Sequence, residues 1–142
     1  LNSRRLDNLK VYPQIRVSNW SPYLLIISAL SWMGYLLAYE FLFRGLMLFP
    51  AVELIGFWPA IVLNTGIYML VHLPKGIKEI IGALPFGIFL CLISLHSGSF
   101  WMAFLVHSVL ALSNEWFSIY HYHSMRMRLE NEIVKEFETR NF

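Results

Sequence analysis

The chain has 142 residues, of which 57% are hydrophobic and only 14% charged, with a formal net charge of +2 and a mean hydropathy of +0.54. Soluble domains carry about 25% charged residues, so this composition excludes an ordinary water-soluble globule and indicates a multi-pass membrane protein. No basic stripe suggests nucleic acid, and a single cysteine, Cys91, excludes a disulfide framework or a thiolate metal site.

Residues 1–20 form a polar, basic arm containing Arg4, Arg5, Lys10 and Arg16. The chain opens on Leu1 and lacks a signal peptide's short apolar core with a cleavage site, so the visible spans are expected to be the core of a larger bundle. A first span, A, is expected over residues 22–49, with Pro22 in its first turn and Pro50 ending it. At roughly 42 Å such a helix exceeds the ~30 Å hydrocarbon core and should tilt or protrude. Residues 51–57 read as a short connection. Span B starts at Trp58-Pro59 and ends near His72, before Pro74 and Gly76. Span C covers about residues 80–95, with Pro85 as a kink site. Ser97-Gly98-Ser99 is a tight turn, and span D covers about residues 100–117. Beyond Ser124 the residues Met125, Leu129, Ile133 and Phe137 form an apolar stripe at helical spacing, as in a helix lying on a membrane surface or solvated beside it. The predicted class is therefore all-α: a polytopic transmembrane helix bundle of four visible spans, with an arm (1–20), a core (21–118) and a tail (119–142).

Basic residues set the orientation. Arm, B–C loop and tail all carry Lys or Arg, whereas the A–B and C–D loops carry none. This alternation puts both termini in the cytoplasm, in a bacterial-type cytoplasmic membrane. Trp58 and Trp101 would then mark the outer interface, and Trp20 and Trp116 the inner one.

Chemistry is suggested by what little charge the spans retain. Between Pro22 and Lys75 the only charged residues are Glu40, Arg44 and Glu53. An ionisable group at membrane depth is costly and is kept when it has a partner and usually a task. Glu40 and Arg44, four apart, share a helix face and can pair. Counting 1.5 Å per residue from the outer ends puts Glu40 ~13 Å deep, His72 ~21 Å, His107 ~10 Å and Asn114 ~21 Å, all within about two turns of one another. Asn64, Tyr68 and His72 make an i+4 ladder on span B. Each group also has a plain structural role open to it: a Glu–Arg staple between helices, an interfacial histidine, an interhelical asparagine hydrogen bond.

Together these residues resemble the CPBP family, the membrane-embedded CAAX prenyl proteases and bacteriocin-processing or immunity proteins. The family's Glu-Glu-x-x-x-Arg motif is matched by Tyr39-Glu40-x-x-x-Arg44, followed by Gly45. Its Phe-x-x-x-His is matched by Tyr68-x-x-x-His72, and its His-x-x-x-Asn by His107-x-x-x-Ala111. The resemblance covers about residues 22–117. It implies an intramembrane endopeptidase in which His72 and a carboxylate activate water, directly or through a divalent metal such as zinc held by Glu40, His72 and His107. His107 would stabilise the oxyanion, with Asn114 in place of the missing asparagine, and Arg44 would fix the glutamate. Two departures bear on activity: Tyr39 replaces the family's general-base glutamate, and Ala111 its oxyanion asparagine. The implied partners are the bilayer, a peptide or protein substrate and other membrane subunits. A second expectation is a catalytically inactive scaffold, immunity or assembly subunit. A third, a small proton-coupled transporter, has no paired repeat halves to support it.

Overall fold

The computed structural model describes residues 20–140, with side chains as far as residue 121. The basic arm therefore lies outside the described residues, as do the side chains of the apolar stripe expected on the tail. Among the described residues every regular element is helical. The described residues divide into two units, Ser21–Leu110 and a second that holds residues 111–140.

The first unit begins with α1 (Pro22–Glu40), capped by Ser21, whose hydroxyl accepts from the Leu24 amide at 3.3 Å. The helix runs on without interruption through a π-helical segment (Phe41–Leu48) into α2 (Phe49–Ile55). Its buried positions explain the change of winding. Leu36, Glu40, Arg44 and Leu48 are all buried and lie four residues apart. A regular α-helix drifts ~40° for every four residues, which would carry Leu48 ~120° round from Leu36. A π turn bonds i to i+5 and winds less per residue, so it keeps the stripe facing inward.

This corrects the expected end of span A. Pro50 does not stop the helix, because it falls in the first turn of α2, directly after the π segment, where a missing N–H is tolerated. The rod ends instead at Gly56, at φ 90° and ψ 168°, a conformation only glycine adopts readily. The connection expected over residues 51–57 shrinks to that one residue, and α3 (Phe57–Val71) follows at once.

With 15 residues, α3 spans about 22 Å, less than the ~30 Å of a hydrocarbon core. The helices Pro22–Ile55, Ile77–Ser97 and Trp101–His121 are each long and apolar enough to cross a membrane. A 3₁₀ turn (Leu73–Lys75) and Gly76 lead to α4 (Ile77–Ser97), a few residues longer at each end than expected for span C, with Pro85 inside it. The Lys75 ammonium lies 5.9 Å from the centre of the Trp32 ring, tying this loop to α1 by a cation–π contact. Gly98, at φ 65°, closes α4 in a left-handed cap, and the tight turn stands where the sequence put it. The last helix, α5 (Trp101–Arg140), is one uninterrupted element of 40 residues. Span D and the tail helix are thus a single helix, since no glycine or proline separates them.

The pair α3–α4 is the most extensive helix contact. It is close because α4 offers Gly87, where a Cβ would stand 3.1 Å from Tyr68 Cδ1 and 3.2 Å from Thr65 Cγ2. Two buried clusters fill the unit. One joins Leu48, Ala60, Ile61 and Cys91; the other joins Phe43, Tyr68 and Ala83, with Tyr39 and Phe86 against it. Outward positions are apolar as well, with Leu54 83% and Val62 70% exposed. A shell that is apolar all round is what a lipid environment selects. The protein is an integral membrane protein with an all-α transmembrane bundle.

Candidate active site

Glu40 closes α1 and Arg44 sits in the π segment. Both are fully buried, and Arg44 Nη1 lies 3.1 Å from Glu40 Oε2. The N–H is poorly aimed at that oxygen, so the contact is Coulombic attraction rather than a good hydrogen bond; among the described residues Arg44 Nε, Nη1 and Nη2 have no hydrogen-bond acceptor. The guanidinium is covered by aromatic faces instead, 4.7 Å from the Tyr68 ring centre and 5.6 Å from that of Phe43. A desolvated cation on two rings and one carboxylate is held mainly by electrostatics strengthened in a dry interior.

The other carboxylate oxygen faces α5. His107 Nδ1 lies 2.6 Å from Glu40 Oε1, a contact between residues 67 positions apart. The carboxylate accepts, so Nδ1 donates; Nε2 then bears a lone pair in the neutral ring and an N–H in the protonated one. Phe86 (5.4 Å), Tyr39 (6.1 Å) and Tyr68 (6.1 Å) surround the imidazole edge to face. His72 caps α3 and lies half-buried against the same Tyr68 ring, with ring centres 4.5 Å apart. Its Nδ1 donates to the Tyr68 carbonyl at 2.9 Å, which again leaves Nε2 as the free nitrogen. Both histidines are thus anchored through Nδ1 and present Nε2, and both touch Tyr68.

Tyr39 is stacked on Phe43 with centroids 4.5 Å apart, and its buried hydroxyl has no hydrogen-bond partner among the described residues. At the position where the resemblance puts a carboxylate, this chain has a packed phenol. Ala111 and Asn114 belong to the second unit, where both are half-buried. Glu115, also in that unit, is buried, and the sequence reading passed over it. Its signal was the usual one, an acid within an apolar span.

Sequence reasoning also missed a polar link behind the charged pair. Asn64 Nδ2 donates to the Phe43 carbonyl at 2.7 Å, and Asn64 Oδ1 accepts from the Cys91 thiol at 3.3 Å. Thr65 Oγ1 lies 4.0 Å from the same sulfur. The clue was the 64–68–72 ladder, whose first rung is a polar side chain on an apolar helix.

The three-ligand metal site expected from Glu40, His72 and His107 does not fit. Among the described residues no three His, Cys, Asp or Glu side chains group closely enough to hold an ion. Glu40 has one oxygen against Arg44 and the other against His107, so it is a partner of a histidine rather than a third donor.

Comparison with curated proteins and with solved structures finds no match. The family model for the type II CAAX prenyl endopeptidase Rce1-like proteins matches residues 20–113, the stretch that carries Tyr39, Glu40, Arg44, Tyr68, His72 and His107, and the chain belongs to that family.

Proposed function

We propose that this protein is an intramembrane endopeptidase of low turnover, in which a histidine replaces the carboxylate as base. The observation that carries the proposal is the 2.6 Å contact of His107 with a fully buried Glu40. A charged pair used only as a staple needs no histidine, whereas a carboxylate that orients an imidazole is a recurring catalytic arrangement. In this reading His72 Nε2 takes a proton from water, which attacks the carbonyl carbon of a peptide bond. The oxyanion that forms accepts from protonated His107 Nε2, whose positive charge Glu40 balances and Arg44 in turn holds in place. His72 then returns its proton to the leaving amine as the C–N bond breaks. The substrate is a peptide or protein segment presented within the bilayer.

Tyr39 sets the expected rate. A phenol with an ordinary pKa near 10 cannot serve as a base at neutral pH, and Glu40 is committed to its two partners. Tyr39→Glu should raise turnover by on the order of 10²–10⁴, the usual contribution of one acid–base group. The test is cleavage of a peptide panel by the purified protein in lipid. Slow cleavage that is lost in His72→Ala and His107→Ala and raised in Tyr39→Glu is the expected result. No cleavage by either the native chain or Tyr39→Glu would favour the second reading, an inactive scaffold, immunity or assembly subunit. That reading draws on the Tyr39 hydroxyl, buried in an aromatic stack with no hydrogen-bond partner among the described residues.

The charge pattern supports placing both termini in the cytoplasm. A cysteine introduced at Gly56 should then be labelled by an impermeant reagent only from the opposite side.

A further inference from the structure

We infer that Asn64 is a positioning residue, whose side-chain amide holds the π-helical segment in the register that brings Glu40 to His107. The inference deepens the proposed function and takes from it only the importance of the Glu40–His107 contact.

The argument starts from the rod. Glu40 lies at the last α-helical residue before the π segment, and Phe43 and Arg44 lie within it. One more residue per turn is accommodated here than an α-helix allows. Reverting to α winding, with its larger turn of ~100° per residue, would rotate one side of the rod against the other. Leu36 and Leu48, both buried, bracket the segment and resist such a rotation only through packing. Asn64 supplies a directional restraint inside it. Its Nδ2 holds the Phe43 carbonyl at 2.7 Å, and its own carbonyl is held by the Cys91 thiol at 3.3 Å. One side chain thus connects the π segment, α3 and α4. Asn64 is 1% exposed, so water does not compete for these bonds.

The restrained residue is well chosen. Phe43 precedes Arg44 directly and stacks on Tyr39, and Arg44 lies 3.1 Å from Glu40. Moving the Phe43 peptide therefore moves the cation, and with it the carboxylate whose other oxygen faces His107. Asn64 touches none of the groups that would react. It acts through the backbone of the motif.

The test reads the His107 ring, not hydrolysis, so it remains informative if the chain proves inactive. Protein labelled with ¹⁵N-histidine in micelles should give a downfield Nδ1 proton for His107, assigned by its disappearance in His107→Gln. In Asn64→Leu, similar in size but with no donor, that resonance should be lost or moved while helix content stays native by circular dichroism. Asn64→Ala, which leaves room rather than bulk, should behave alike and decides the matter if Asn64→Leu does not fold. A folded variant with the His107 resonance unmoved would overturn the inference. Failure of both variants to fold would also overturn it, since Asn64 would then be structural alone. Absence of cleavage in the native chain and in Tyr39→Glu would instead count against the proposed function and leave this result standing.

Discussion

The two buried clusters of the first unit are fed by the same rod yet are built differently. Around Leu48 the neighbours are Ala60, Ile61 and Cys91, a small apolar set joined to the rest by the Cys91 thiol's hydrogen bond to Asn64. Around Phe43 they are aromatic, with Tyr68, Tyr39 and Phe86, and the charges of Glu40 and Arg44 lie in the same neighbourhood. The first can be stabilised by packing alone. The second combines desolvated charge with ring faces and is stable only while each partner stays in place. Apolar packing and buried charge thus occupy adjacent stretches of one helix, and the π segment is where they meet.

Pairing one substitution from each cluster sharpens that contrast. Arg44→Met should cost ~3–5 kcal/mol, because it leaves the Glu40 carboxylate buried without its cation. Leu48→Ala should cost ~2–5 kcal/mol through lost contact and a cavity. Their distinction is in the site: the first should displace the His107 Nδ1 resonance and the second should leave it. Unfolding in micelles with the same resonance as readout checks both. A smaller effect is expected where α3 and α4 touch. Gly87→Ala should destabilise by ~1–3 kcal/mol by pressing on Tyr68 and Thr65. Gly66→Ala, with nothing within 4 Å of the added methyl, should instead stabilise by ~0.5–1 kcal/mol. Equal effects of the two changes in a thermal melt would show that this interface is looser than described. The smallest shift belongs to Trp32→Leu, which removes the ring under Lys75 and should cost ~0.5–1 kcal/mol. A melt of Trp32→Leu and Lys75→Met, singly and together, measures it; additive losses would deny the contact.

Much of this was legible in the sequence. The helical class followed from apolar length and scarce charge, and the ends at His72 and Gly98 followed from Pro74 with Gly76 and from Ser97-Gly98-Ser99. Glu40, Arg44 and His107 were legible as candidates because charge and imidazole stand out in hydrocarbon. The end of span A was misjudged because Pro50 was weighed as a helix breaker. A proline's cost depends on the hydrogen bond it removes, and beside a π segment that cost is small. The π segment itself has no residue signature; it follows from the four-residue spacing of Leu36, Glu40, Arg44 and Leu48, visible only once those positions are known to be buried. Whether Glu40, His72 and His107 could hold a metal was not legible for a similar reason. Three donors at comparable depth say nothing of which atoms face one another, and Glu40 turns its oxygens to Arg44 and His107.

The shortness of α3 bears on a different matter, the supply of water. Hydrolysis within a bilayer needs a reactant that hydrocarbon excludes. A helix of about 22 Å beside neighbours long enough to cross leaves roughly 8 Å of the apolar layer without a wall of its own. At one end of α3 stands His72, followed by Lys75 and Lys78. Polar side chains and a dip in the lipid surface relieve such a mismatch. Under the proposed function, a wet boundary drawn towards His72 would supply the water that its free Nε2 activates.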